Sequence, residues 1–178
     1  MELIAQRAGE PITMTEIARG ADVAIGSLYQ YFADQSAIYK ALLIHHNADV
    51  RLMLHNSMES ARTMDELVGN LKSCFVEYYA LHQKDPFFNG IWCIVQTDAE
   101  LQKIDVEDTL QNARYLQSIA QPMLPGIDPE KLLAACALMM QFALTAGRLG
   151  RAVPPALSRE MPAIFNGMME NAFRALAL

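Results

Sequence analysis

Apolar positions recur every three or four residues along almost the whole chain, while β-branched runs are short and isolated. That period is the mark of amphipathic helices rather than strands, so the pattern predicts an all-α protein. A short helix is expected over residues 2–8, broken by Gly9 and Pro11. The next spans about 14–20, with Thr13 or Thr15 as its cap, and a third spans about 25–31 after a turn at 21–24. Asp34 is placed to cap a long helix over 35–62, with Ile38, Leu42, Met53 and Met58 on its inner side. Another helix is expected from Thr63 to Lys84, where Pro86 stops it. "FFNGIWCIV" reads as a short apolar helix, followed by the acidic capping stretch "TDAE". Asp105 is read as the start of the following helix, which fails at Pro122 and Pro125.

The clearest helix start is "GIDPEKLL", where Asp128 offers a cap oxygen, Pro129 suits the first turn and Glu130 suits the positive end of the dipole. That helix is expected to reach Gly150, and a last one runs from about Ala156 after the linker "RAVPP". The head is placed at 1–47 and a second helical domain at 48–178, joined through the long helix around Ile44 to Asp49.

With 178 residues, 52% of them hydrophobic and 19% charged, the chain can bury a core without staples. Cys74, Cys93 and Cys136 are odd in number and far apart, which argues against a disulfide frame or a zinc site and for three buried thiols. The longest apolar run, Leu132 to Leu144, is read as too interrupted by Cys136 and Gln141 to span a membrane, and no export signal is seen. A cytoplasmic protein with no membrane partner and no cofactor is expected. The net charge of −6 speaks against wholesale nucleic-acid binding.

"TEIARGADVAIGSLYQYFADQ", Thr15 to Gln35, changes that picture. Two short helices crossing over a tight turn need an apolar contact, here Ile17, and a small residue where the backbones meet, here Ala18. Val23 is expected to plug the turn, and Leu28 and Phe32 to meet it from the second helix. Subtracting that face leaves Ile25, Gly26, Ser27, Tyr29, Gln30 and Tyr31 pointing outward. A short helix held outward by two others is what a DNA major groove admits, although spacing alone equally allows an ordinary helical hairpin.

The residues Thr15, Ile17, Ala18, Val23, Gly26, Ser27, Leu28, Tyr29, Tyr31 and Phe32 stand in the register of the TetR family of bacterial transcriptional repressors, which this segment closely resembles. The resemblance implies a phosphate contact for Thr15, base edges for Ile25, Gly26 and Ser27, and a phosphate for the Tyr29 hydroxyl. It also implies base or backbone contacts for Gln30 and Tyr31, and added charge from Lys40 near the backbone. The chain departs from the family in having Asp22 where Gly is usual, Ala24 where a hydroxyl cap is usual, and Gln35 where Lys is frequent. Met1 falls in mid-helix by that comparison, as in a truncated first helix. From Met1 to Asn47, Arg7, Arg19 and Lys40 face Glu2, Glu10, Glu16, Asp22 and Asp34, so the head is net acidic.

The resemblance further implies a small hydrophobic effector bound in the second domain. Tyr78, Tyr79, Phe88, Trp92, Gln96 and Met139 are the candidate lining, several of them able to offer a hydrogen bond from an apolar wall. Ordinary core packing accounts for the same aromatics. Leu138, Phe142, Ala146 and Leu149, with Ile164, Phe165, Met168 and Ala172, form two apolar stripes on the last two helices, read as a homodimer face. Ala146, Gly147 and Gly150 are read as allowing close helix approach there. No catalytic constellation is visible. "GSLY" lacks the second glycine and preceding strand of a nucleophile elbow, and His45 with Asp49 are too few to hold a metal. The expectation is a ligand-responsive repressor that binds operator DNA as a homodimer. The alternative is a helical small-molecule-binding protein with a weakened head.

Overall fold

The computed structural model describes Leu3 and residues 12–176, with the side chains of Pro86, Phe88 and Asn89 outside that description. The helix expected over 2–8 and its break at Gly9 and Pro11 lie outside the described residues. Among the described residues there are eight α-helices and no strand: α1 (Met14–Gly20), α2 (Ile25–Tyr31), α3 (Gln35–Met58), α4 (Met64–Lys84), α5 (Pro86–Val95), α6 (Ala99–Ala120), α7 (Pro129–Ala152) and α8 (Pro155–Leu176). A 3₁₀ turn, Gln121–Met123, follows α6.

Local chemistry sets most of the starts. Asp34 Oδ1 accepts from Ala37 N at 2.9 Å, and Asp128 Oδ1 accepts from Lys131 N at 2.9 Å. Thr63 and Glu66 bond each other's backbone amides, a reciprocal capping box that opens α4. Two boundaries differ from expectation. α6 begins six residues before Asp105, because Asp98 Oδ1 accepts from both Glu100 N and Leu101 N. α3 stops at Met58, where the Arg62 guanidinium caps the freed carbonyls of Glu59 and Ala61.

The chain divides into two compact units: Met1–Ala48 with Asp85–Val106, and Asp49–Lys84 with Glu107–Leu178. In the first, Ile12, Ala18, Ile38, Tyr39 and Leu43 are buried, as are Phe87, Ile91 and Val95 of α5. Ser36 Oγ ties α3 to Asp98 at 3.1 Å.

In the second unit α4, α7 and α8 pack around Leu67, Leu71, Phe75, Leu132, Cys136, Met139, Phe165, Met169 and Phe173. The Phe75 and Phe165 rings lie 4.2 Å apart between centroids. Gly147 and Gly150 bring α7 onto α4: a methyl at Gly147 would sit 3.1 Å from the His82 ring, and one at Gly150 would overlap the Tyr79 phenol. Their close approach therefore serves packing within the protomer, not the dimer face for which they were read. Gln83 Nε2 donates to Gly147 O at 2.9 Å and Arg151 Nη1 to His82 O at 2.8 Å, closing the same seam.

The reading of Leu132 to Leu144 as too interrupted needs correcting, by length and composition alone. α7 has 24 residues, about 36 Å of helix, and a mean hydropathy of 1.6 over its most apolar window, enough by length and composition to cross a bilayer. Gln141 does not lower that average enough to matter, and Cys136 raises it. Cys93 also departs from the expected buried thiols, being only half-buried, whereas Cys74 and Cys136 are buried. Burial pushes the Cys136 thiol up to about 12.

Candidate nucleic-acid interface

Thr13, not Thr15, caps α1. Its hydroxyl accepts from Glu16 N at 3.2 Å while Glu16 Oε2 accepts from Thr13 N at 2.8 Å. This leaves the Thr15 side chain exposed and uncommitted to the cap. α1 ends with Val23 N donating to Ala18 O at 3.0 Å and Asp22 N to Arg19 O at 3.2 Å. That pair of bonds is the Schellman pattern, which requires a left-handed residue after the helix. Asp22 fills that place with φ 54°, the one positive-φ residue other than glycine among those described. A short polar side chain tolerates the conformation better than an aliphatic one, at a cost of about 1–2 kcal/mol against glycine.

α2 starts without a side-chain cap at Ala24. The Ala24 carbonyl accepts from both Ser27 N and Leu28 N, at 3.0 and 3.1 Å. No residue of this seven-residue helix is buried. Leu28 and the following Phe32 are half-buried, Ala18 of α1 is buried, and α1 and α2 pack on each other. Val23 is 44% exposed, so it does not plug the turn: the Schellman bonds turn the chain sharply enough to leave its side chain outside. Ile25, Gly26, Ser27, Tyr29, Gln30 and Tyr31 are all exposed, Tyr31 at 81%. A methyl built on Gly26 meets nothing within 4 Å, so nothing among the described residues requires glycine there. Lys40 is exposed on α3, and Tyr39 beside it is buried, its phenol pushed up by burial against the pull of its hydrogen bond to the Ile12 backbone.

The candidate effector residues fall in both units. Tyr79 is buried, and its hydroxyl bonds Ser158 O at 2.8 Å and Ser158 Oγ at 2.7 Å, fastening α4 to α8. Tyr78 is half-buried, its ring 4.3 Å from that of His82. Met139 lies in the core of the second unit. In the first unit Trp92 is buried, whereas Gln96 is exposed at the end of α5 instead of lining an apolar wall. The Phe88 side chain is outside the described residues. Sequence reasoning missed an open groove of about 760 Å³ in the second unit, walled by Met58, Met64, Tyr115, Ile119 and Met123 with Arg62 at its edge. Tyr115 stacks on His55 at 3.5 Å and bonds the His55 carbonyl, which fixes one wall. The methionines that flank residues 59–63 were the only sequence signal for it.

Of the residues read as a dimer face, Leu138, Phe142, Leu149, Ile164 and Met168 are about half exposed. Ala146 and Ala172 are half-buried against the core, and Phe165, at 9% exposure, points into it. Phe165 therefore belongs to the protomer and not to an outer face. Its neighbour Ile164 lies 100° around the helix, which separates the two.

Another polar cluster joins α3 and α6 within the second unit. Arg51 pairs with Asp108, and Asn112 Nδ2 donates to Asp108 Oδ2 at 3.0 Å. Burial raises the Asp108 carboxyl, and the Arg51 guanidinium opposes that rise. Among the described residues no three His, Cys, Asp or Glu side chains gather as metal ligands.

Comparison with known families agrees with this geometry. The family model for bacterial regulatory proteins of the tetR family matches residues 1–42, and the model described as tetracyclin repressor-like, C-terminal domain, matches residues 65–160. No curated protein matches the chain. The second match alone spans more than half of the 178 residues, and the first covers both helices of the crossing. A helix-turn-helix head whose reading face has no inward duty, joined to this C-terminal domain, places the chain in the TetR family of bacterial transcriptional regulators, which are DNA-binding proteins and not enzymes.

Proposed function

We propose that the protein is a repressor that binds a two-fold operator as a homodimer and is released by a small hydrophobic effector. The observation that carries this is the face of α2: six of its seven residues are exposed, and only Leu28, with Phe32 just after the helix, is half-buried. Self-association is supported by α7 and α8. They pack on each other yet leave Leu138, Phe142, Leu149, Ile164 and Met168 about half exposed, apolar side chains that a second copy could cover. A second copy covering that surface, rather than lipid, also accounts for the hydropathy of α7, and fits a protein working on DNA in the cytoplasm. Two reading helices about 34–36 Å apart would then meet successive major grooves.

An effector of hydrophobic character is supported by the match to a tetracyclin repressor-like C-terminal domain, and the open methionine-walled groove offers apolar side chains for one. Binding would favour one head separation over another, shifting a population and lowering operator affinity. Footprinting on DNA upstream of the protein's own gene tests the reading: a protected two-fold site, lost on adding a ligand found by thermal-shift screening, is expected. Absence of any protected site would count against it.

A second reading, a small-molecule-binding protein with a weakened head, is favoured by the uncapped Ala24, the strained Asp22 and the acidic balance of the head. Salt separates the two. A head that neutralises phosphates loses affinity steeply as salt rises, and a weakened one does not.

A further inference from the structure

We propose that α2 reads A·T pairs, with Gln30 on an adenine edge and Ile25 against a thymine methyl. The inference rests on α2 being the reading helix. Its outward inventory is unusual in one respect: between Val23 and Ala33 there is no Arg, Lys, Asp or Glu. In the major groove guanine shows two acceptors, which call for a cation's paired donors, and cytosine shows a donor, which calls for a carboxylate. α2 offers neither. Adenine shows an acceptor beside a donor, matched by a side-chain amide, and Gln30 is the single amide on the helix. Thymine shows a methyl group, matched by apolar contact, and Ile25 is the aliphatic side chain exposed on it, at 41%.

The nearest charges do not fill the gap. Asp34 is engaged in capping α3, and Asp22 sits in the turn. Arg19 belongs to the last turn of α1, the helix that crosses the backbone in this motif, and Lys40 to α3. Both cations are therefore placed for phosphates. The open space around Gly26 allows the helix backbone to come close enough for short side chains such as Ser27 to reach base edges. The phenols of Tyr29 and Tyr31, neutral donors, add positioning without sequence information.

The test is selection from a random duplex pool by the full chain at low salt, followed by affinity measurement on the enriched site. The expected result is a two-fold site with A·T pairs at the contacted positions. Replacing thymine there by deoxyuracil, which lacks only the methyl, should weaken binding severalfold for the natural chain and leave Ile25→Ala indifferent. Gln30→Ala should lose about tenfold discrimination at one adenine per half-site, and Gln30→Arg should shift that position to guanine. Both residues are exposed, so neither variant disturbs a core. Enrichment of G·C pairs at the contacted positions, or a preference untouched by Gln30→Arg, overturns the inference while leaving the regulator reading intact. A pool that enriches no site overturns both.

Discussion

Replacing Gly150 by alanine sets two effects of opposite sign against each other. In a helix interior alanine gains about 1 kcal/mol over glycine. At Gly150, however, the added methyl would overlap the Tyr79 phenol and stand 2.9 Å from Gln83 Nε2. Tyr79 cannot retreat freely, since its hydroxyl is bonded to Ser158 O and Oγ on α8 and its ring packs in the core. Losing those bonds costs about 1–1.5 kcal/mol, and overpacking adds about 1–3 kcal/mol. The net expectation is a loss of about 1–3 kcal/mol, or about 2–4 °C in Tm for each kcal/mol at this chain length. Gly69, exposed within α4 with nothing within 4 Å of an added methyl, supplies the control. Gly69→Ala should gain about 0.5–1 kcal/mol. Urea unfolding followed by far-ultraviolet circular dichroism, at one fixed protomer concentration, reads both. Equal stability of the two variants would refute the claim that Gly150 is required by Tyr79. So would a Gly150→Ala loss that is no smaller in a Tyr79→Leu background.

If the proposed dimer forms through this face, Ile164→Glu should leave a monomer in sedimentation with helix content intact, whereas Phe165→Ala should destabilise the protomer itself by about 3–5 kcal/mol through the cavity it leaves. Ala24→Ser should supply the missing cap of α2 and slow hydrogen exchange there, consistent with about 0.5–1 kcal/mol of added helix stability. Acid should unfold the protein by a definite route. Backbone amides of Arg62 and Thr63 hold the Glu66 carboxyl low, those of Leu101 and Glu100 with the Ser36 hydroxyl do the same for Asp98, and Lys72 with Arg174 for Glu170. Groups whose folded pKa is depressed stabilise above their unfolded values and lose that contribution as pH falls through the folded ones, so stability measured by urea titration should drop below about pH 4. Asp108 works the other way: burial raises its carboxyl, so protonating it on the way down favours the folded state. Asp108→Asn should therefore start the acid decline at a higher pH.

The residues that could be read from the chain alone are those whose causes lie within a few positions of each other. The 3.6-residue period identified the helices, and Asp34 and Asp128 set two of their starts through bonds spanning three residues. The exposed face of α2 was legible for the same reason, because Leu28 on so short a helix, with Phe32 just after it, can turn inward only one way. Where a choice depended on a distant partner, the chain was silent or misleading. Phe165 and Ile164 looked alike as members of one stripe until Phe75 claimed the first. Gly147 and Gly150 looked like a dimer seam until His82 and Tyr79 occupied the space beside them. The groove beside Tyr115 is made by segments some sixty residues apart, which no local pattern records. Helix identity and capping are short-range properties of the backbone and its nearest side chains, so the sequence determined them; which face of each longer helix is buried, and against what, is a property of packing, and only the tertiary structure decided it.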